Sequence, residues 1–308
     1  MLSMIARRLA TAIPTIFIIV VISFLIIKLA PGSPFESQTQ LDAEQIANLE
    51  AAYNLDKPIL VQFWLYLSGL LQGDLGQSFV FRDRTVSEII AQGFPVSAAI
   101  GLTTMVVGTV VGVCLGLIAA LRKNTLVDYG VMSMTMAGIA VPTFVTAPLL
   151  ALFFGLTLGL LPISGWVAGD VRHMILPVLA LAIPKAGIIA RITRGGMLDV
   201  LKANHVRTAR SKGLPERLVI WRHTLRAGLM PVVSYLGPAI AGVMTGSVVI
   251  EQIFGLPGIG RSFIEGAMNR DYPVVMGITI LYATLIIFMN LLVDIAYRFL
   301  DPRAEQSS

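Results

Sequence analysis

Six apolar runs divide this chain, and each is long enough, or nearly so, to cross a lipid bilayer. They read Leu9–Ala30, Ser97–Leu121, about Val131–Leu160, about Met174–Ala190, about Leu229–Ile250 and about Val274–Leu300. The 22 residues of the first run reach roughly 33 Å as a helix, against a hydrocarbon core of about 30 Å. In lipid a backbone must satisfy its own hydrogen bonds, so runs of this kind are helices. The first is too long for a signal-peptide core, and no small-residue cleavage site follows it. Charged residues make up 13% of the chain, where soluble domains carry about 25%. The fold class expected is an all-α membrane protein with six transmembrane helices.

Charge orients the runs. Arg7 and Arg8 precede the first and put the N-terminus inside the cell. Segment 31–96 then lies outside, with eight acids against three bases and a net charge of −5. Arg122 and Lys123 fall inside, 161–173 outside, 251–273 outside, and the tail inside. The segment Arg191–Arg226 also falls inside, with nine Lys or Arg against two acids, a net of +7 in a chain whose total is +5. The basic loops all fall on one side. A pI near 9.5 therefore reflects membrane topology rather than nucleic-acid binding, and no nucleic-acid partner is expected.

Four divisions follow: residues 1–30 with the first helix, a small external (periplasmic) subdomain at 31–96, a core at 97–300 carrying the basic cytoplasmic segment 191–226, and a cytoplasmic tail at 301–308. The subdomain opens on Pro31–Phe35, a helix-ending turn. It continues through a surface helix over Asp42–Leu55 and an apolar stretch, Pro58–Leu71, of about 14 residues. That stretch is too short to span and is expected in the interface or against the helices.

Other signals are weaker. Gly255–Ser262 has phosphate-loop spacing with Arg261 in the lysine position, but an apolar helix precedes it where a strand is required; a tight turn is expected. His173, His205 and His223 show no metal spacing, the lone Cys114 excludes an internal disulfide, and no catalytic triad stands out. No metal site and no catalytic residues are expected. Gly108, Gly112 and Gly116, like Gly242 and Gly246, recur at four-residue spacing and suit close helix packing. Lys185 lies mid-span beside Pro184, where a charge faces a cavity or a partner; it is a candidate pathway residue. Glu251 and Asp294 sit near span ends, as interfacial or paired groups, and Lys28 can snorkel.

Within the basic segment stand Arg207, Thr208, Ala209, Arg210, Ser211, Lys212, Gly213, Leu214 and Pro215, followed by Trp221, Arg222 and His223. This pattern resembles the loop by which permease subunits of ATP-binding-cassette importers contact their ATPases. That family's pattern is Glu-Ala-Ala, three residues, Gly, nine residues, then Ile-x-Leu-Pro. Ala209, Gly213 and Leu225 fit; Arg207, Thr208, His223 and Arg226 depart, in the manner of the peptide-importer branch. The N-terminal RRLATAIPTIFIIVVISF and LAPGSPF agree with that branch, as do Phe94–Ala98, Ala190–Met197, Val233–Ala239, Thr245–Gly260 and Asn269–Val275. The similarity covers nearly the whole chain and is greater to the oligopeptide members than to the dipeptide, nickel or glutathione ones.

The resemblance implies a type I importer permease fold in the bacterial inner membrane, as a non-catalytic subunit that imports oligopeptides. Dipeptides, glutathione, nickel or modified peptides are the alternative cargo. It implies a second homologous permease, two ATPases, a periplasmic peptide-binding protein, the peptide and membrane lipid as partners. ATP and Mg would be bound by the ATPases, with no cofactor in this chain. Arg207, Thr208, Ala209, Arg210, Lys212, Gly213, Leu214, Pro215, Arg222 and His223 would form the coupling loop. An ion-driven transporter is the first rival, opposed by scarce buried carboxylates and the lack of an inverted repeat. A scaffold without transport is the second.

Overall fold

The computed structural model describes residues 2–29, 35, 42–81 and 83–300. Most of the turn expected at 31–35 and all of the tail 301–308 lie outside these. The helices in chain order are α1 (Leu2–Leu29), α2 (Ala43–Ala52), α3 (Ile59–Leu71), α4 (Val86–Leu121), α5 (Leu126–Ala140), and α6 (Thr143–Leu150), which continues as a π-helix over Ala151–Thr157. There follow α7 (Arg172–Leu201), α8 (Asn204–Ser211), and α9 (Glu216–Leu218), which passes through a π-helix, Val219–Thr224, into α10 (Leu225–Gly228). The last are α11 (Met230–Met244), α12 (Val248–Ile253), α13 (Ile259–Met268) and α14 (Tyr272–Leu300). Among the described residues the β content is one bridge, Gln77 to Thr85.

Among the described residues, five helices are long and apolar enough to cross a membrane, counting α11 with α12 as one. The third span differs from the unbroken helix expected over about Val131–Leu160. α5 and the α6 segment meet at 98°. The cause is local: Pro142 disfavours helical geometry at Val141, which is extended at φ −83°, ψ 119°. Pro142 then caps the restarted helix. Other boundaries shift as well. α4 begins at Val86 rather than Ser97, and α7 runs on to Leu201, carrying Arg191 and Arg194 on a helix rather than in a loop.

Contacts divide the chain into two units, one of 97–256 and 286 onward, the other of 2–96 and 257–285. In the first, α7 is the central helix: 56% of its apolar window is buried, more than in any of the other four unbroken spans. Its buried face is built of small residues, among them Ala180, Ala182, Ala186, Gly187 and Ala190. α4 lays Gly108, Gly112 and Gly116 on that face. A Cβ on Gly112 would stand 2.7 Å from the Ala186 carbonyl, and one on Gly116 would collide with the Ala190 carbonyl. The four-residue glycine spacing thus marks a backbone-to-backbone seam, in which close van der Waals packing replaces hydrophobic drive. α5 packs on α7 in the same way, with Gly187 facing the Thr135 carbonyl. The second glycine pair behaves differently. Gly242 is exposed, and Gly246 takes φ +90° at the break between α11 and α12. Near that break Glu251 is buried and accepts a 2.6 Å hydrogen bond from Ser97 Oγ, so it is paired rather than interfacial.

The second unit is held by aromatic packing and one carboxylate. Phe35, Tyr53, Phe79 and Tyr272 form a contiguous ring cluster. Buried Asp271 accepts from Ser78 Oγ and from the backbone N–H groups of Phe79 and Val80. Val86 and Ile89 of α4 pack on Val274 and Ile278 of α14. α3 sets Phe63 edge-on against Phe17 and Phe24 of α1, while its Leu60 and Trp64 remain exposed. A short apolar helix with one face packed and the other bare suits the lipid interface.

Candidate functional site

The segment between α7 and α11 is a folded module. Val206 and Ala209 of α8 are buried together with Val219, and Val200 of α7 and Leu214 complete the cluster. These positions follow the helix period, so α8 has one apolar stripe and presents Arg207, Thr208, Arg210 and Lys212 outward. The helix ends at Gly213, whose φ is +74°. That left-handed conformation costs roughly 1–2 kcal/mol for a residue with a Cβ and is free for glycine. Pro215 then supplies the extended cap of α9, and Leu214 turns back into the cluster.

Three polar contacts brace the module. Arg210 donates to Glu216 from both Nε (3.2 Å) and a terminal nitrogen (2.6 Å). Those hydrogen bonds hold the Glu216 carboxyl below its ordinary value and raise the Arg210 guanidinium, with partial desolvation opposing both. His205 Nε2 donates to the His223 carbonyl at 3.1 Å. Thr224 Oγ1 donates to the Val219 carbonyl at 3.1 Å, inside the π turn. Trp221 and Arg222 point outward, Trp221 being 71% exposed.

The module is joined to the span core without slack. A Cβ on Gly196 of α7 would collide with the Gly228 carbonyl of α10, and one on Gly228 would stand 3.3 Å from the Met197 Cα. Further along α7, Arg194 makes a bidentate pair with Asp128 of α5, both contacts 2.7 Å, and Asp128 is 1% exposed. Asp128 also accepts from the Asn124 N–H at 2.9 Å.

Of the residues singled out from sequence, 207–215 and 222–223 fall in this one module. Their parts differ. Ala209 is a packing residue, Leu214 is half-buried, and Gly213 serves the turn. Arg207, Thr208, Lys212 and Arg222 make the outer surface. Lys185 is elsewhere, half-buried on α7 opposite Gly108 of α4, and among the described residues no carboxylate pairs with it. The Asp128–Arg194 pair escaped the sequence reading. Thr125-x-x-Asp128 marks a helix start, and the Thr125 hydroxyl does accept from the Asp128 N–H, but nothing local points to Arg194.

Spans packed along glycine seams, with a compact basic module on the central helix, define a multi-span membrane subunit. Comparison with known families gives the class its name. Residues 112–306 match the inner membrane component of binding-protein-dependent transport systems, and residues 1–101 match the N-terminal part of the membrane component of such systems. The chain belongs to this family, and it is a multi-pass inner-membrane protein. Membership brings two kinds of partner, an ATPase and a solute-binding protein.

Relatives agree over the full length. The oligopeptide transport system permease protein OppB of Salmonella typhimurium is 50% identical over 303 residues, 98% of this chain and 99% of its own. The Escherichia coli protein of that name is 49% identical over the same shares. The dipeptide transport system permease protein DppB of Bacillus subtilis is 43% identical over 289 residues, 94% of this chain and 93% of its own. In fold the chain is similar to the MetNI methionine ABC transporter in an inward-facing conformation (TM-score 0.58, 14% identity, 69% of this chain and 96% of that one). It is similar also to an amino acid ABC transporter (TM-score 0.54, 17% identity, 69% and 94%).

Proposed function

We propose that this chain is a permease subunit of an ATP-driven importer of oligopeptides, contributing half of the pathway beside a second, homologous permease. The cargo reading rests on relatives: oligopeptide permeases match at 50% and 49%, above the dipeptide members at 43% and 38%. Dipeptides, glutathione, nickel and modified peptides remain the alternative cargo classes. The subunit has no catalytic role of its own; ATP and Mg belong to two ATPases on the cytoplasmic side, and a peptide-binding protein delivers cargo from the other. The external subdomain 31–96 is the surface such a protein would meet.

One observation carries the mechanism: α8 is packed by Val206 and Ala209 into a small core of its own, leaving a cationic ridge bare. Such a ridge fits an acidic groove on a partner. Because Val200 of α7 belongs to the same core and α10 abuts α7 at Gly196 and Gly228, force on α8 reaches α7 directly. The α4 and α5 seams leave no room for sliding, so α7 moves its neighbours with it. Closure of the ATPases would then swing these spans as a rigid body, and a docked binding protein would bias the same equilibrium. Lys185, on the central span and with no acidic partner among the described residues, is the proposed pathway residue. It would weight the passage of acidic against basic peptides.

The test is reconstitution of the full complex in proteoliposomes with peptide-loaded binding protein. Ala209→Asp and Gly213→Trp are expected to insert and assemble yet lose at least ten-fold in peptide uptake per ATP hydrolysed. Wild-type coupling in both variants would overturn the lever.

A further inference from the structure

The second unit holds a cavity of about 240 Å³ that the transport reading does not use. It lies between the last turns of α1, the inner face of α3 and the first turn of α14. Its walls are largely apolar, with Phe24, Ile27, Leu65 and Met276 among them, and among the described lining residues the one cation is Lys28. Among the described lining residues there is no acid. Two polar atoms of the lining residues have no hydrogen-bond partner although both are buried: Tyr66 Oη, a donor, and Gln62 Oε1, an acceptor. Such unanswered groups are costly and call for a partner.

We propose that this cavity is a binding site for an anionic phospholipid, with an acyl segment along the apolar walls and the phosphate at Lys28. The surroundings fix the class of ligand. Leu29 and Ile26 of α1 are 81% and 64% exposed, and Leu60 and Trp64 of α3 are 82% and 67% exposed. These are surfaces that meet lipid, and a lysine in the last turn of a span with a tryptophan nearby marks the headgroup level. Lipid phosphates lie at the same depth as the Lys28 ammonium. An ester oxygen answers the Tyr66 hydroxyl, and a headgroup hydroxyl such as that of phosphatidylglycerol answers the Gln62 carbonyl. The volume equals roughly eight water molecules. It therefore holds a portion of a lipid, the remainder lying over the bare faces of α1 and α3.

The test uses the assembled transporter in nanodiscs of phosphatidylcholine carrying a small fraction of photoreactive phosphatidylglycerol. Labelled peptides are expected from α1 and α3. Labelling there should fall about five-fold in Lys28→Gln, the factor one lysine contributes to anionic-lipid attraction, and should fall in Met276→Trp, which fills the cavity. Labelling of the other spans should stay constant. If Met276→Trp fails to assemble, Lys28→Gln decides alone. Equal labelling by a photoreactive phosphatidylcholine, or labelling indifferent to Lys28→Gln, overturns the site. Loss of label on adding glycerol 3-phosphate assigns the cavity to a soluble phosphate ester and overturns the lipid reading.

Discussion

Val206→Ala tests the proposed coupling module through the small core that seats α8. Val206 is fully buried against Ala209 and Val219. Removing two methyl groups costs about 1.6 kcal/mol in transfer free energy, and the void adds part of a further kcal/mol because a cluster this small collapses only partly. Near 2 kcal/mol, the equilibrium for α8 lifting from its core shifts about thirty-fold, since 1.4 kcal/mol is a factor of ten. Local opening of this kind is read by amide hydrogen exchange. The amides of Lys212 and Gly213, which donate within the end of α8, should exchange about thirty-fold faster in the assembled transporter. Amides in the middle of α7 should be unchanged. Peptide-stimulated ATP hydrolysis should fall with the docked fraction, while basal hydrolysis by the ATPases persists. Unchanged exchange in α8 would refute the claim that this cluster holds the helix. Faster exchange with full coupling would show that the ATPase grips something else.

Other tests are more direct. Gly112→Leu puts a branched side chain where a Cβ would already stand 2.7 Å from the Ala186 carbonyl; assembly yield should drop steeply by size-exclusion chromatography, while Gly130→Leu, with nothing within 4 Å, should not affect it. Asp128→Asn leaves Arg194 without its buried counter-charge and should cost about 3–5 kcal/mol, measured as a lower thermal midpoint that Asp128→Asn with Arg194→Gln partly restores. The Glu216 contribution is present above the ordinary glutamate value and is lost as pH falls through the depressed one. The pair is exposed and so is worth only a few tenths of a kcal/mol: Glu216→Gln should shift module stability slightly at pH 7 in low salt, and the shift should shrink as pH falls through the depressed value. Lys185→Ala should change uptake of acidic peptides relative to basic ones, and an equal change for all peptides would assign Lys185 to packing.

The spans were legible because lipid permits few backbone solutions and charge fixes their order. Gly108, Gly112 and Gly116 were legible for the same reason, since a four-residue repeat of the smallest residue has few other uses inside a membrane helix. The bend at Pro142 was legible in principle from the residue before proline, but the apolar run continues unbroken through it, and hydropathy alone hides the corner. Glu251 with Ser97 and Asp271 with Ser78 lie 154 and 193 positions apart, and no local pattern joins them. In the basic segment, residue types alone could not separate packing from surface. Ala209 and Gly213 match the family pattern because α8 needs a small buried face and a left-handed stop. Arg207 departs from the pattern at an exposed position, where packing within this chain does not constrain the side chain.

That division explains why a segment so basic folds at all. A cationic run of this length repels itself, and in isolation α8 is eight residues, too short to hold as a helix in water. Three buried side chains and one bidentate pair offset the repulsion, and Met197 and Gly228 tie the result to α7. The stiff path runs from α8 through α7 to the seams with α4 and α5. Among the spans of this unit, the helix is broken between α5 and α6 at Val141–Pro142 and between α11 and α12 at Thr245–Ser247, both clear of that path. Torsional change is absorbed where hydrogen-bonded turns are already interrupted. In the proposed coupling, a load applied at the cationic ridge would be carried by the glycine seams and absorbed at the two span breaks, which is the mechanical requirement for a subunit moved by a partner's ATP.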